Sequence, residues 1–391
     1  MKFGVYVHIP YCLQRCSYCD FATYVHTEII PPQDYLLLLQ SEIRRRANWI
    51  GPRPLDTLYF GGGTPSLVDP QIISAVIASL KESGFDLRPG AEVTIEINPA
   101  TISDEKLDAY LAMGVNRFSV GAQTFNDDLL RSVRREHSSD DTRHTLDLLR
   151  SRNLNYSFDL LFALPGQTLA GLELDLNQVE SYLPPHVSPY CLTVPESHPL
   201  AKLSLPEALQ IEMFEMISSR LEAMGYAQYE ISNFCRPGFE SRHNSLYWDN
   251  DEYWGIGLSS HSYLLREKWG VRFWNPKNLD QYQKQKMDAQ QISSELDPEH
   301  FEVLERHQAL TDYCHISLRR AQGLSLLALA NRFGHSVMDL VQAEVDKMSE
   351  KGLLRQGPGG CFSLTKTGIL MSNQVFSKLT FLEEDLAPRA P

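Results

Sequence analysis

The chain has 391 residues, 43% of them hydrophobic, and its 49 acidic against 36 basic side chains leave a net charge of −13. Nucleic-acid binders ordinarily present a basic face, so that class is excluded. Seven cysteines are too few for a disulfide-stapled secreted domain, the opening MKFGVYVHIPYCLQR is not a signal peptide, and no stretch reaches the roughly 18 apolar residues of a membrane span. A cytoplasmic chain with reduced thiols is expected, long enough for about two to three domains.

From the N-terminus, short β-branched or aromatic runs alternate with stretches of helical period. VYVHI (5–9) is followed, after a cysteine-rich loop, by a predicted helix over 32–48. DTLYF (56–60) leads through GGGTPS to a helix over 71–83. EVTIEI (92–97), RFSVG (117–121), FDLLF (158–162) and YCLTV (190–194) follow, each preceding a predicted helix, over 103–113, 139–151, 170–182 and 205–223. Strands alternating with helices at this spacing mean βα units on a parallel sheet. Six units fall short of the eight of a closed (β/α)8 barrel, so an α/β fold with an open, partial (β/α)6 barrel is expected.

Residues 226–275 are rich in Tyr, Trp, Asn and Ser and are expected to cover the open side of that barrel. Helices are predicted over 300–319, 323–332 and 336–351. LLRQGPGGCFSLT then reads as a hairpin around Gly357–Gly360, followed by a last helix. Three helices and a hairpin suggest a winged-helix-like module. Its 10 Lys+Arg and 12 Asp+Glu point to packing or partner docking rather than DNA, and Cys314 and Cys361 are expected to be buried thiols. The expected domains are a core over 1–225, the aromatic segment over 226–296 and the C-terminal module over 297–391.

The chemistry-bearing residues fall at predicted strand ends or in the loops just after them: Cys12, Cys16 and Cys19, then GGGTPS (61–66), Glu96, Gly121-Ala122-Gln123 and Asp159. In parallel α/β folds that end of the sheet is the site face. A structural zinc wants four protein ligands, whereas Cys191 and Cys235 are isolated and only His26 lies close after Cys19. Three clustered thiolates suit three irons of a [4Fe–4S] cluster, with the fourth iron left open to a small molecule. The glycine loop offers close approach and backbone N–H groups to such a molecule.

CxxxCxxC after a first strand, with a glycine-rich second loop, resembles the radical S-adenosylmethionine (SAM) superfamily. YVHIPYC, YFGGGTPS, EINP, RFSVGAQTF, RREHS, FDLLFALPGQT, YEISNF, SRHNSLYW and GIGLSSHSY follow in an order similar to the HemN/HemW family, from about residue 4 to 380. The resemblance implies that Cys12, Cys16 and Cys19 hold the cluster. It implies that Tyr6, Gly62, Gly63, Thr64, Glu96, Gln123, Arg135 and Asp159 contact SAM, with a backbone contact at Thr193. Carboxylates suit a ribose diol or an ammonium, and arginine suits a carboxylate.

The family has two branches. One comprises oxygen-independent coproporphyrinogen III dehydrogenases, the other heme-binding chaperones thought to supply respiratory enzymes. Three features favour the second branch: Phe21 stands where the first has a further cysteine, the first strand begins at about residue 4, and HNSLYW (243–248) matches an H-N-x-x-Y-W signature. The resemblance then implies heme as a third ligand, with His243 on the iron and Cys235 as its rival. The implied partners are an electron donor and a heme-accepting respiratory protein, with a cytoplasmic or peripheral inner-membrane location. Two departures stand out: Ala163 occupies a position where the family has glycine, and Pro195-Glu196 reverses the family order.

Overall fold

The structure, a computed structural model, describes residues 1–287 and 298–386. Strands β1 (Phe3–Ile9), β2 (Leu55–Gly62), β3 (Leu87–Ile97), β4 (Arg117–Gln123), β5 (Tyr156–Phe162) and β6 (His186–Cys191) alternate with helices. The intervening helices are α1 (Pro32–Ile50), α2 (Pro70–Glu82), α3 (Asp104–Ala112), α4 (Ser139–Ser151) and α5 (Leu169–Tyr182), with α6 (Glu207–Ala223) following β6. A short helix at Asp127–Ser132 lies outside the expected pattern.

Local chemistry sets these elements. Pro32 opens α1 where its missing N–H is no loss. Tyr35, Leu39, Ile43 and Ala47 then recur every four residues on the buried face. Helix α4 begins with a capping box between Ser138 and Asp141. Strand β6 starts four residues before the expected run. Pro184, Pro185 and Pro189 mask it in the sequence, and its ladder with β5 ends where Phe162 meets Cys191.

The stretch expected to cover the open side instead lengthens the sheet at both edges. Strands β7 (Ala227–Glu230) and β8 (Asn233–Cys235) add antiparallel beyond β6. After helix α7 (Arg242–Trp248), strand β9 (Glu252–Ile256) pairs parallel with β1, Phe3 opposite Glu252. Strands β10 (His261–Leu264), β11 (Val271–Trp274) and β12 (Phe301–Val303) continue antiparallel. The order is β12-β11-β10-β9-β1-β2-β3-β4-β5-β6-β8-β7. A seventh parallel strand thus joins the six expected, and no ladder closes the edges among the described residues.

Period two divides the sheet. Leu58, Phe60, Val93, Ile95, Phe118, Val120, Phe158, Leu160 and Val187 pack into the main core with the helices. Tyr59, Glu96, Ser119, Asp159 and Ser188 face the concave side. Helix α7 fills the lower end of that concave face. Gly4 of β1 permits the approach, since a Cβ there would stand 2.4 Å from Leu246 and 2.5 Å from the Thr57 hydroxyl.

The C-terminal part has the order expected of a winged helix. Helix α8 (Arg306–Arg319) precedes Leu324–Ser325, α9 (Leu326–Phe333), α10 (His335–Glu350) and the strands Leu354–Gln356 and Cys361–Leu364. Helix α8 starts at Arg306, after β12, rather than at residue 300. The expected hairpin turns at Gly359 and Gly360, both at positive φ. The second core, built on these helices, includes Tyr263 of β10, and Cys314 is buried while Cys361 is only partly so. The boundary expected between 296 and 297 lies outside the described residues. No described helix is long and apolar enough to cross a membrane.

Candidate functional site

A cavity of about 380 Å³ opens at the C-terminal ends of β1 to β6. Its wall includes all three cysteines of the first loop, Gly62, Gly63 and Thr64, and the side chains of Glu96, Gln123, Arg135 and Asp159. Residues 10–31 follow β1, and the barrel brings their cysteines beside strand ends from Gly62 to Tyr190.

The three cysteines are free thiols. Thr64 Oγ1 lies 3.8 Å from Cys12 Sγ, Thr23 Oγ1 lies 3.7 Å from Cys19 Sγ, and Arg135 donates to Cys16 Sγ at 3.5 Å. Burial pushes the Cys12 thiol up to about 11, opposed by the Thr64 hydroxyl; metal would have to displace that proton. Among the described residues no three His, Cys, Asp or Glu converge on a single-ion site. A cubane takes each thiolate on a different iron. Arg135, which lines the cavity, also has a buried Nε without a partner, while its other guanidinium nitrogen donates to the Gly121 carbonyl at 2.7 Å. The donor set and the orphaned arginine N–H fit a cluster carrying an anionic ligand.

The glycine loop works differently from expectation. Its amides are already taken: Gly62 N donates to Glu96 at 3.0 Å, Gly63 N to Ile9 O at 2.8 Å and Thr64 N to Tyr11 O at 2.7 Å. The loop therefore contributes close approach and the Thr64 hydroxyl rather than free N–H groups. Gly62 sits at φ +112° with the His8 ring where a Cβ would be, 2.5 Å away, so only glycine fits.

Glu96 is clasped by Tyr59 Oη at 2.9 Å and by Gly62 N. Burial pushes its carboxyl up to about 7, against the Tyr59 hydrogen bond. Asp159 accepts from the Ser119 hydroxyl at 2.9 Å and from Ser157 at 3.4 Å, and burial raises it too. These two half-buried carboxylates form no ion pair among the described residues, only the nearby Arg117 charge acting on Asp159, and they form a socket for a cationic, hydroxyl-bearing ligand. Gln123 projects from a break in the β4–β5 ladder at φ +65°, a strained backbone of the kind that gathers at functional sites. Sequence reasoning missed the lower wall: Tyr59, Ser119, Ser157, Ser188 and Tyr190. Their signal is the alternation itself, one polar side chain per strand at the same level.

Two expected residues sit elsewhere. Tyr6 lines a second, wider cavity; its hydroxyl meets His8 Nδ1 at 3.1 Å and its ring packs 6.0 Å from Tyr59. His243 is 1% exposed. Its Nδ1 meets Thr57 Oγ1 at 2.7 Å, its Nε2 meets Tyr247 Oη at 2.8 Å, and Tyr59 stacks on it at 5.1 Å. Glu92 accepts from the Arg242 and His243 amides at 3.1 and 2.9 Å, anchoring the first turn of α7. Burial lowers the imidazole to about 3. With both nitrogens used, this histidine is a strut under the cavity floor and not an open iron ligand. Its rival Cys235 is also buried, in β8 at the far edge of the sheet. Thr193 has its hydroxyl on the Cys191 carbonyl at 3.4 Å and does not line the cavity. Ala163 adopts φ +60° while buried, which explains the family's glycine there.

A partial barrel with a CxxxCxxC loop over its strand ends defines the radical SAM class, and residues 6–179 match the radical SAM superfamily. The heme chaperone HemW of Bacillus subtilis (strain 168) is 34% identical over 389 residues, covering 95% of this chain and 98% of that protein. The heme chaperone HemW of Lactococcus lactis subsp. lactis (strain IL1403) is 33% identical over 392 residues, covering 98% of each. The coproporphyrinogen III oxidase HemN from Escherichia coli superposes with a TM-score of 0.81 over 97% of this chain and 90% of that one, at 22% identity. That last likeness is one of fold. Within the radical SAM class, the chain belongs to the HemW family.

Proposed function

We propose that the protein is a heme chaperone that carries a [4Fe–4S] cluster and SAM in the strand-end cavity and passes heme to respiratory proteins. The observation that carries the cofactor part is the single cavity shared by three free thiols, an arginine Nε without a partner and the carboxylates of Glu96 and Asp159. Cys12, Cys16 and Cys19 would hold the cluster. Such a cluster, when bound, supplies one-electron chemistry to a sulfonium ligand at its open iron.

The chain's own residues do the rest. Arg135 compensates thiolate charge and orients a carboxylate. Glu96 takes an ammonium or ribose hydroxyls, and Asp159, held by two serines, does the same lower in the cavity. Gly62 and Gly63 allow the ligand to approach the backbone, Thr64 offers a hydroxyl, and Gln123 offers an amide from its strained position. Tyr6 acts through Tyr59, which it packs against, rather than by touching the ligand.

The heme part is supported by HemW relatives that match along nearly the whole chain. An electron donor and a heme-accepting protein at the inner membrane surface belong to the same reading. Anaerobic reconstitution followed by parallel hemin titration and coproporphyrinogen assays tests it. Saturable hemin binding without sustained coproporphyrinogen turnover is expected; the opposite result would make the chain a dehydrogenase.

A further inference from the structure

We propose that the wide aromatic cavity beside the barrel mouth seats a planar iron tetrapyrrole, with His261 as its axial ligand and Lys277 against one of its carboxylates. This rests on the heme-carrying reading and gives it a site.

The cavity encloses about 670 Å³, within the range of pockets that bury small cofactors. Tyr6, Phe21, Tyr247, Trp248, Tyr253 and Tyr263 line it, which gives a flat ring system several apolar faces with polar tips. The GIGLSSHSY segment supplies the imidazole. Its loop is fixed from behind: Gly257 N donates to Glu42 at 3.0 Å, Leu258 N to Tyr35 Oη at 2.9 Å, and the Ser260 hydroxyl to Gly257 O at 2.7 Å. Ser259 holds φ +57°, a strained turn immediately before His261.

The two histidines are opposite in kind. His243 has both nitrogens bonded inside the fold, whereas His261 is exposed, lines the cavity and stacks on Trp274 at 5.8 Å and 19°. Neither of its ring nitrogens makes a hydrogen bond among the described residues. Burial of the ring, then the charges of Lys277 and Arg272, lowers its pKa, so at neutral pH it has a lone pair to give. Lys277 forms no ion pair among the described residues, while Arg272 is committed to Asp312 and Glu302. Asp251 on the rim accepts from the Lys2 amide, and Asp20 stands exposed at the loop.

Position links this cavity to the other. Phe21, 66% exposed, lines both, and it is the position where the dehydrogenase branch carries a further cysteine. Phe21 is therefore a shared wall between the cofactor cavity and the tetrapyrrole site.

Hemin titrated into the full chain, and into His261→Ala, His261→Cys and Lys277→Glu variants, tests this. His261→Ala should bind hemin at least about tenfold more weakly with a displaced Soret band and an unchanged thermal melt. His261→Cys should restore affinity with a thiolate-type spectrum, and this decides the matter even if the alanine variant melts early. Lys277→Glu should weaken binding severalfold without moving the band. Wild-type binding that His261→Ala and His261→Cys leave unchanged in affinity and spectrum overturns the site but keeps the heme reading. A wild-type chain that does not saturate with hemin overturns the reading itself.

Discussion

The two cavities are built by opposite strategies. The strand-end cavity is the smaller, and most of its wall comes from alternate residues of consecutive parallel strands and the loops directly after them. The second is nearly twice as large and aromatic, and its wall joins the first strand and its loop to residues 247–277 and helix α8. A rigid ladder suits a cofactor that must be held at fixed distances for electron transfer. A wider aromatic cleft over β1 and β9 to β11 would suit the proposed tetrapyrrole, a cargo that has to leave.

The comparison breaks most visibly at the cysteines. Cys16→Ala should cost the reconstituted protein most of its iron and sulfide, about four of each per chain in the wild type, while hemin binding survives. Iron content and the visible spectrum check this; loss of both ligands together would join the cavities into one site.

Asp159→Ala or Glu96→Ala should weaken SAM binding by about 10- to 100-fold, the loss of a charge-assisted hydrogen bond, with the cluster still assembled. Equilibrium dialysis against labelled SAM measures the first and absorbance the second.

His243→Ala should destabilise the chain by about 2–4 kcal/mol, since it leaves a void and strands the Thr57 and Tyr247 hydroxyls, while hemin affinity stays put. Acid should act in the same direction. His8 and His137 are lowered by burial to about 4, and His243 to about 3. Their stability contribution is fully present above the unfolded value of about 6.5 and is lost as pH falls toward 3–4. Denaturant melts between pH 7 and 4 read this slope.

Glu96 has the opposite sign. Its folded pKa of about 7 lies above the unfolded value, so its contribution is present below about 4.5 and is lost as pH rises through 7. SAM, which needs the ionised carboxylate, should bind more tightly over that same rise, and Glu96→Gln should flatten both curves. The smallest effect is Ala163→Gly, which should stabilise by about 1 kcal/mol by relieving a left-handed alanine.

Much of this was legible in the sequence, unevenly. The βα rhythm, the cysteine loop, Gly62, Glu96 and Asp159 announced themselves because local spacing encodes strand ends, whereas Arg135, between two helices, came only through the family resemblance. Strand β6 was misplaced because its prolines mimic a loop. Strand β9 went unseen because EYWGI carries one β-branched residue and its partner lies at the other end of the chain. His243 misled for a related reason: an H-N-x-x-Y-W motif records that the residues travel together, and here what keeps Tyr247 beside the histidine is a hydrogen bond one helical turn away. His261, whose ring nitrogens make no hydrogen bond among the described residues, sits in a segment with no metal-site spacing at all.

Strand β1 lies between β2 and β9, with Gly4 opposite Thr57 on one side and Tyr253 on the other. Its second neighbour is synthesised some 250 residues after it, a long-range pairing of the kind that slows folding. During translation the cysteine loop emerges long before β9 and hangs from a half-paired strand until residue 256 has appeared. Iron delivered to the nascent chain would meet thiols that are not yet held apart. A cluster should therefore be held well only once β9 has paired, and a chain truncated before β9 should take up iron poorly even though it keeps every ligand.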